Sequence, residues 1–376
     1  MHHVEYESDN ITLLTAGEIL NPFAVLEEVF QEWSSPVHLQ DELFELFALA
    51  VRKNYWLTYD SPLIVYRKYK KLMRLFEAGW LIEKIRPDHA LSEKLIIPYN
   101  QIETDTSTKG RKESVTGIDH ISQAYKILIN VYSGMPLQAL RSDLFNLLFE
   151  GLMPTCVKYA VEFDAYVVES LKQMDSLIQA LHIIDQHEQI NTLSPKDIEI
   201  LTKEKNEFNA RQTLYDYHHD IYHLYEYSAK EDLTKALKIA RGVVYKDGFW
   251  KLHGNPANML YYFHDFLFVL ESYWVCNQEI MAQETDINTK WKYPDDKKTA
   301  IYRIIRKRIK KPWKYLRRQF EKKTLSEWRN MLECCLEDVL SNQAVKVGKW
   351  SQYDEVLDFV AVLLVFNDIL KYEPEI

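Results

Sequence analysis

The sequence predicts an all-α protein of tandem helical repeats, about four divergent three-helix modules of roughly 95 residues each. Three observations predict it. Only 10 glycines occur among 376 residues, fewer than the strand–helix turns and phosphate loops of an α/β chain this long normally require. Three prolines stand 15 residues ahead of a glutamate: Pro62 and Glu77, Pro154 and Glu169, Pro256 and Glu271. Each glutamate precedes a small residue (Ala78, Ser170, Ser272), and a degenerate fourth copy pairs Gln352 with Asn367. Finally, apolar or aromatic residues recur at i, i+4 and i+8 upstream of each copy, a spacing that lines one helical face.

The first helix of each module carries that stripe. PFAVLEEVF and PWKYLRRQF share their register, aligning Pro22, Leu26 and Phe30 with Pro312, Leu316 and Phe320. Ala124, Leu128 and Tyr132 form the second copy, and His219, His223 and Tyr227 the third. Phe30, Tyr132, Tyr227 and Phe320 serve as phase markers, separated by 102, 95 and 93 residues. A period of that length exceeds the common solenoid units, so each module reads as a small bundle.

The second helix opens near Leu39, Leu137, Leu233 or Leu325, with apolar residues at helical spacing such as Leu43, Leu46, Phe47 and Ala50. Proline opens the third helix, where its missing N–H has no partner to lose. Ser61, Asn255 and Ser351 precede these openings as expected N-caps. Tyr69, Leu72, Met73, Phe76 and Trp80 form the expected buried stripe of module one, with Glu77 at its rim in a structural role.

The modules so defined are residues 1–82, 117–186, 187–280 and 281–376, with 83–116 a polar, flexible linker containing IETDTSTKGRKESVTG. Ser194-Pro195 starts a further helix within residues 185–210, and residues 281–296 form a polar connection.

The opening MHHVEYESDN is acidic where a secretory leader needs a basic stretch and an apolar run, and no stretch is long enough to span a membrane. The four cysteines, Cys156, Cys276, Cys334 and Cys335, show no metal or redox spacing. A soluble, cytoplasmic protein with reduced thiols is the expectation.

Charge is unevenly spread. Residues 290–323 hold 15 Lys or Arg against 3 Asp or Glu, a net of +12, whereas the whole chain carries −9, leaving −21 elsewhere (−9 minus 12). A helix over 297–311 would set Ile301, Ile304, Ile305 and Ile309 opposite Arg303, Arg306, Lys307 and Lys310. Lys314, Arg317, Arg318 and Lys322 then continue the basic surface, with Trp291, Tyr293, Tyr302, Trp313 and Tyr315 interleaved. Such a ridge suits the phosphates of a nucleic acid. It equally suits an anionic protein or lipid, a solvated face, or docking on acidic surface such as Glu27, Glu28, Asp41 and Glu42 of this chain or a second copy. No helix-turn-helix, zinc finger or RNA-binding string accompanies it, so base-specific reading is not expected.

The second candidate is TLYDYHHDIYHLYEYS, in which His219 and His223 stand at i and i+4, each three residues after an aspartate (Asp216, Asp220). That arrangement resembles half of a carboxylate-bundle metal site, with His264, Asp265 and Glu271 on the same module. The repeat alignment instead puts both histidines at core positions, and the motif lacks the glutamate of HExxH. Nucleotide-loop, nucleophile-elbow and kinase patterns are absent.

These readings predict a non-enzymatic interaction or scaffold protein without cofactor, whose basic ridge binds an anionic partner, possibly nucleic acid, or mediates self-association. The alternative is a metal-dependent helical-bundle enzyme holding a divalent transition metal at His219 and His223.

Overall fold

The computed structural model describes residues 13–32, 35–52, 54–86, 117–154, 165–188, 193–207, 230–243, 246–250, 255–282, 312–341, 343 and 350–370. Among these residues there are thirteen α-helices, one short 3₁₀ turn (Tyr55–Thr58) and no strand. The helices are α1 (Ala16–Leu20), α2 (Pro22–Glu32), α3 (Pro36–Val51), α4 (Pro62–Ile85), α5 (Gly117–Gly134), α6 (Leu137–Leu152) and α7 (Ala165–Glu188). They continue with α8 (Pro195–Glu207), α9 (Lys230–Val243), α10 (Ala257–Ala282), α11 (Pro312–Lys322), α12 (Leu325–Leu340) and α13 (Trp350–Leu370).

Local chemistry explains most of the starts. Pro22, Pro36, Pro62, Pro195 and Pro312 each occupy the first helical position, where the lost N–H costs nothing. Thr15 with Glu18 and Thr324 with Glu327 form reciprocal capping boxes. Ser194 does the same with Asp197: the Asp197 amide donates to Ser194 Oγ (3.2 Å) and the Ser194 amide to Asp197 Oδ2 (2.8 Å).

Three expected starts differ. Asn255 Oδ1 is buried without a hydrogen bond and so caps nothing; the amides of Met259 and Leu260 use the Pro256 carbonyl. Helix α13 begins at Trp350, so Ser351 lies inside it. Pro154 stands in a bend after α6, and the described part of the following helix begins at Ala165.

The chain divides into two compact units. The first comprises Met1–Ala48, Lys68–Leu147 and Lys158–Asn206; the second comprises Leu49–Arg67, Leu148–Val157 and Glu207–Ile376.

In the first unit α7 packs against α5 and α2, and α1 against α2. The expected stripes are buried: Pro22, Leu26 and Phe30 of α2, Ala124, Leu128 and Tyr132 of α5, and Leu72, Met73, Phe76 and Trp80 of α4. Helix α4 passes so close to its neighbours that only glycine fits at one point. A Cβ on Gly79 would stand 2.8 Å from Tyr132 Oη and 3.0 Å from both Leu181 methyl carbons. The Tyr132 hydroxyl lies there because it donates to the Phe76 carbonyl oxygen at 2.7 Å, in a buried position.

In the second unit α10 packs against α11, α12 and α13, α12 against α13, and α9 against α10 and α13. Leu325, Trp328, Leu332, Cys335 and Leu336 of α12 are all buried, as their spacing predicts. Trp328 and Phe359 stack with ring centroids 4.6 Å apart. Trp250 donates its indole N–H to the Val339 carbonyl at 2.6 Å, which satisfies a buried polar handle.

Candidate functional site

Helix α11 presents the described part of the basic ridge. Its inner face is fixed by packing: Leu316 is fully buried, and Phe320 and Tyr315 approach the Phe359 ring with centroids at 5.6 and 6.4 Å. With 3.6 residues per turn, burying Leu316 and half-burying Tyr315 and Phe320 turns 314, 317, 318, 321 and 322 outward. Lys314, Arg317, Arg318, Glu321 and Lys322 are indeed exposed. The predicted division of this helix into an apolar and a cationic face therefore holds for the described residues.

The cations are not equivalent. Lys322 and Lys323 both pair with Glu355 of α13, Lys323 at 2.7 Å, and Lys323 also sits 5.0 Å from the Trp328 ring centre. Hydrogen bonds from Lys322 and then Lys323 hold the Glu355 carboxyl below its ordinary range, and Glu355 in turn pushes the Lys322 ammonium up. Lys322 is thus engaged in tying α11 to α13. Lys314, Arg317 and Arg318 have no ionic partner among the described residues. Arg303, Arg306, Lys307 and Lys310 lie outside the described residues, as do His219 and His223, the rest of the basic segment 290–311, and the linker positions 87–116.

The repeated glutamates occupy three different environments. Glu77 is 0% exposed; it accepts the Leu13 amide at 2.9 Å and lies 3.9 Å from Arg141 Nε of α6. It belongs to the core, not to the rim where its spacing placed it. Glu271 is 15% exposed and accepts from Arg329 Nε of α12 at 2.6 Å. Glu169 is 58% exposed, with Lys172 one turn along at 3.6 Å. The small residue after each one, Ala78, Ser170 or Ser272, is buried in all three. Ser170 donates to Asp143 Oδ2 at 2.6 Å, and Ser272 to the Phe268 carbonyl at 2.8 Å.

A buried polar cluster that spacing did not reveal lies in the first unit. The Tyr125 hydroxyl donates to Glu188 at 2.7 Å, and Arg86, just past α4, pairs with Asp197 at 2.8 Å. Burial and the Glu188 carboxylate push the Tyr125 phenol well up, which keeps it protonated as a fixed hydrogen-bond donor. Burial works to raise Asp197, but its bonds to Arg86 and Ser194 outweigh that and hold it below the ordinary carboxylate range. The capping sequence Ser194-Pro195-x-Asp197 signals the helix start; nothing local signals that Arg86 will meet it. Chemically, the cluster ties the ends of α4 and α7 to α5 and the start of α8.

Among the described residues no group of three or more His, Cys, Asp or Glu is placed to hold a metal, and no helix is long and apolar enough to cross a membrane. Burial pushes the Cys335 thiol up, away from reactivity, and Cys334 is exposed. Comparisons with protein-family models, curated proteins and solved structures find no match.

Proposed function

We propose that the protein is a non-enzymatic helical-repeat interaction protein whose cationic helix α11 binds an anionic partner. The observation that carries this is the row Lys314, Arg317 and Arg318, exposed on a helix whose other face is locked into the core. A helix already fixed by packing loses little backbone entropy when a partner docks.

The repeat reading is supported by ion-pair register. Glu77 and Glu271 each lie 15 residues after a proline, and Arg141 and Arg329 each lie four residues after the leucine that opens the second helix, Leu137 or Leu325. In the first unit Glu77 meets Arg141, and in the second Glu271 meets Arg329. The other two modules carry leucine at the arginine position, Leu43 and Leu237, both buried. Module three thus offers no arginine there to the glutamate of module two, and Glu169 is exposed. The repeating block is therefore a pair of modules, used twice, more than one module used four times.

Binding is tested with an immobilised polyanion such as heparin. The full chain is expected to be retained at low salt despite its net charge of −9, and the Lys314→Gln, Arg317→Gln, Arg318→Gln variant to pass through. Equal retention of both proteins would remove the row from the proposal. For the repeat, an experimental structure is superposed with α4 and α6 on α10 and α12. A register shift that separates Glu77 from Glu271 by a helical turn would dismantle the paired-block reading.

A further inference from the structure

We infer that the Lys314–Arg317–Arg318 row contacts the phosphate backbone of double-helical nucleic acid, without reading base sequence. This rests on the function proposed above and names the partner of the same surface. Two of the three side chains are guanidiniums, whose planar forks of N–H donors match phosphate oxygens in paired geometry. At 1.5 Å of rise per residue, Lys314 and Arg318 stand about 6 Å apart along the helix axis. Along one strand a duplex presents a negative charge per roughly 3.4 Å of its axis, so a row of that length lies within side-chain reach of neighbouring phosphates.

Among the described residues the face suits the other polyanionic surfaces less well. An amphipathic helix binds a lipid surface by burying its apolar face, and in α11 that face is already occupied by Leu316 packing and the Phe359 contacts. The large hydrophobics exposed among the described residues, such as Phe44, Leu57 and Tyr261, lie elsewhere in the chain. Single strands are held by bases stacked on aromatic platforms, and Tyr315, interleaved with the cations in sequence, is directed at Phe359 instead. No side chain described on the outer face offers the amide or carboxylate groups that pair with A or C edges, apart from Glu321. Arginine can pair with guanine, so equal binding of duplexes of unrelated sequence is what separates backbone contact from base reading. The −9 charge of the whole chain does not prevent backbone contact, because charges beyond about 8 Å are screened at physiological ionic strength.

The experiment titrates the full chain against labelled probes: two duplexes of unrelated sequence, a single-stranded oligothymidylate, polyglutamate, and vesicles containing phosphatidylserine. The two duplexes are expected to bind alike and more tightly than the other probes. Neutralising Lys314, Arg317 and Arg318 to glutamine should reduce the slope of log affinity against log salt by about 2.7, three contacts at about 0.9 each. Wild type then loses about 40-fold more affinity than the variant between about 50 and about 200 mM salt. Lys314→Arg, which keeps the charge, should match wild type, and circular dichroism should show unchanged helicity in every variant. Row-dependent binding of polyglutamate, vesicles or the single strand in preference to duplex would overturn this inference and leave the anion-binding function standing. Failure to bind any probe would overturn both. Duplex binding with a slope untouched by the glutamine variant would place the contact elsewhere and overturn this assignment of residues.

Discussion

Substituting Gly79 by alanine tests the packing of the first unit, because two effects of known size oppose each other. Glycine in a helix interior is worse than alanine by about 1 kcal/mol, so propensity alone makes the change stabilising. Against it, the new Cβ would fall 2.8 Å from Tyr132 Oη and 3.0 Å from Leu181 Cδ1 and Cδ2, distances that real Cβ contacts do not sustain without movement. If Tyr132 moves, its 2.7 Å bond to the Phe76 carbonyl is lost in a buried site, at about 1–3 kcal/mol. Displacing Leu181 within a filled core costs a further 1–3 kcal/mol or so. The sum is a net loss of about 1–5 kcal/mol. Gly242 of α9 supplies the control, since its added Cβ meets nothing within 4 Å and its substitution should stabilise, by about 0.5–1 kcal/mol. Hydrogen exchange read by mass spectrometry is the assay, since a chain of two compact units need not melt in one step. Faster exchange is expected in peptides from α4, α5 and α7 of Gly79→Ala, with part of the loss restored by adding Tyr132→Phe. If Gly79→Ala instead protects those peptides, as Gly242→Ala should protect α9, the close approach of α4 to Tyr132 and Leu181 is wrong.

Arg141→Leu should cost about 3 kcal/mol, because it removes a cation 3.9 Å from the wholly buried Glu77 carboxylate. Adding Glu77→Leu should recover most of that in chemical denaturation, since leucine is what Leu43 and Leu237 already place at the arginine position; a double variant as unstable as the single one would refute the pairing. His182 predicts a pH dependence. Its ring lies 4.9 Å from Phe30, its Nδ1 is buried without a hydrogen bond, and burial pushes the imidazole below its ordinary value. Above about pH 6.5 the ring is neutral folded or unfolded and contributes no slope. As pH falls below that, the unfolded chain takes up the proton first, so stability drops until the lower folded value is passed. His182→Leu should remove that component, seen as a melting-temperature difference from wild type that changes between about pH 7 and about pH 5; a constant difference would count against a buried neutral ring.

Much of the candidate surface was legible in the chain. Leu316 and Phe320 at i and i+4 mark the inner face of α11, so Lys314, Arg317 and Arg318 must turn outward whatever the neighbours are. That Lys322 is spent on Glu355 was not legible, because the partner comes from a helix more than thirty residues away. The Arg86–Asp197 and Tyr125–Glu188 contacts were hidden for the same reason.

By itself the sequence determined the helical class, the proline-led starts of α2, α4, α8 and α11, and which stripe of each helix is apolar. These follow from backbone geometry and spacing within one or two turns, which any segment carries with it. Only the tertiary structure decided that Glu77 is sealed in the core, Glu271 partly covered and Glu169 left in water. Their local patterns are nearly the same, and a charged carboxylate is buried at tolerable cost where another part of the chain brings a cation or an amide to meet it.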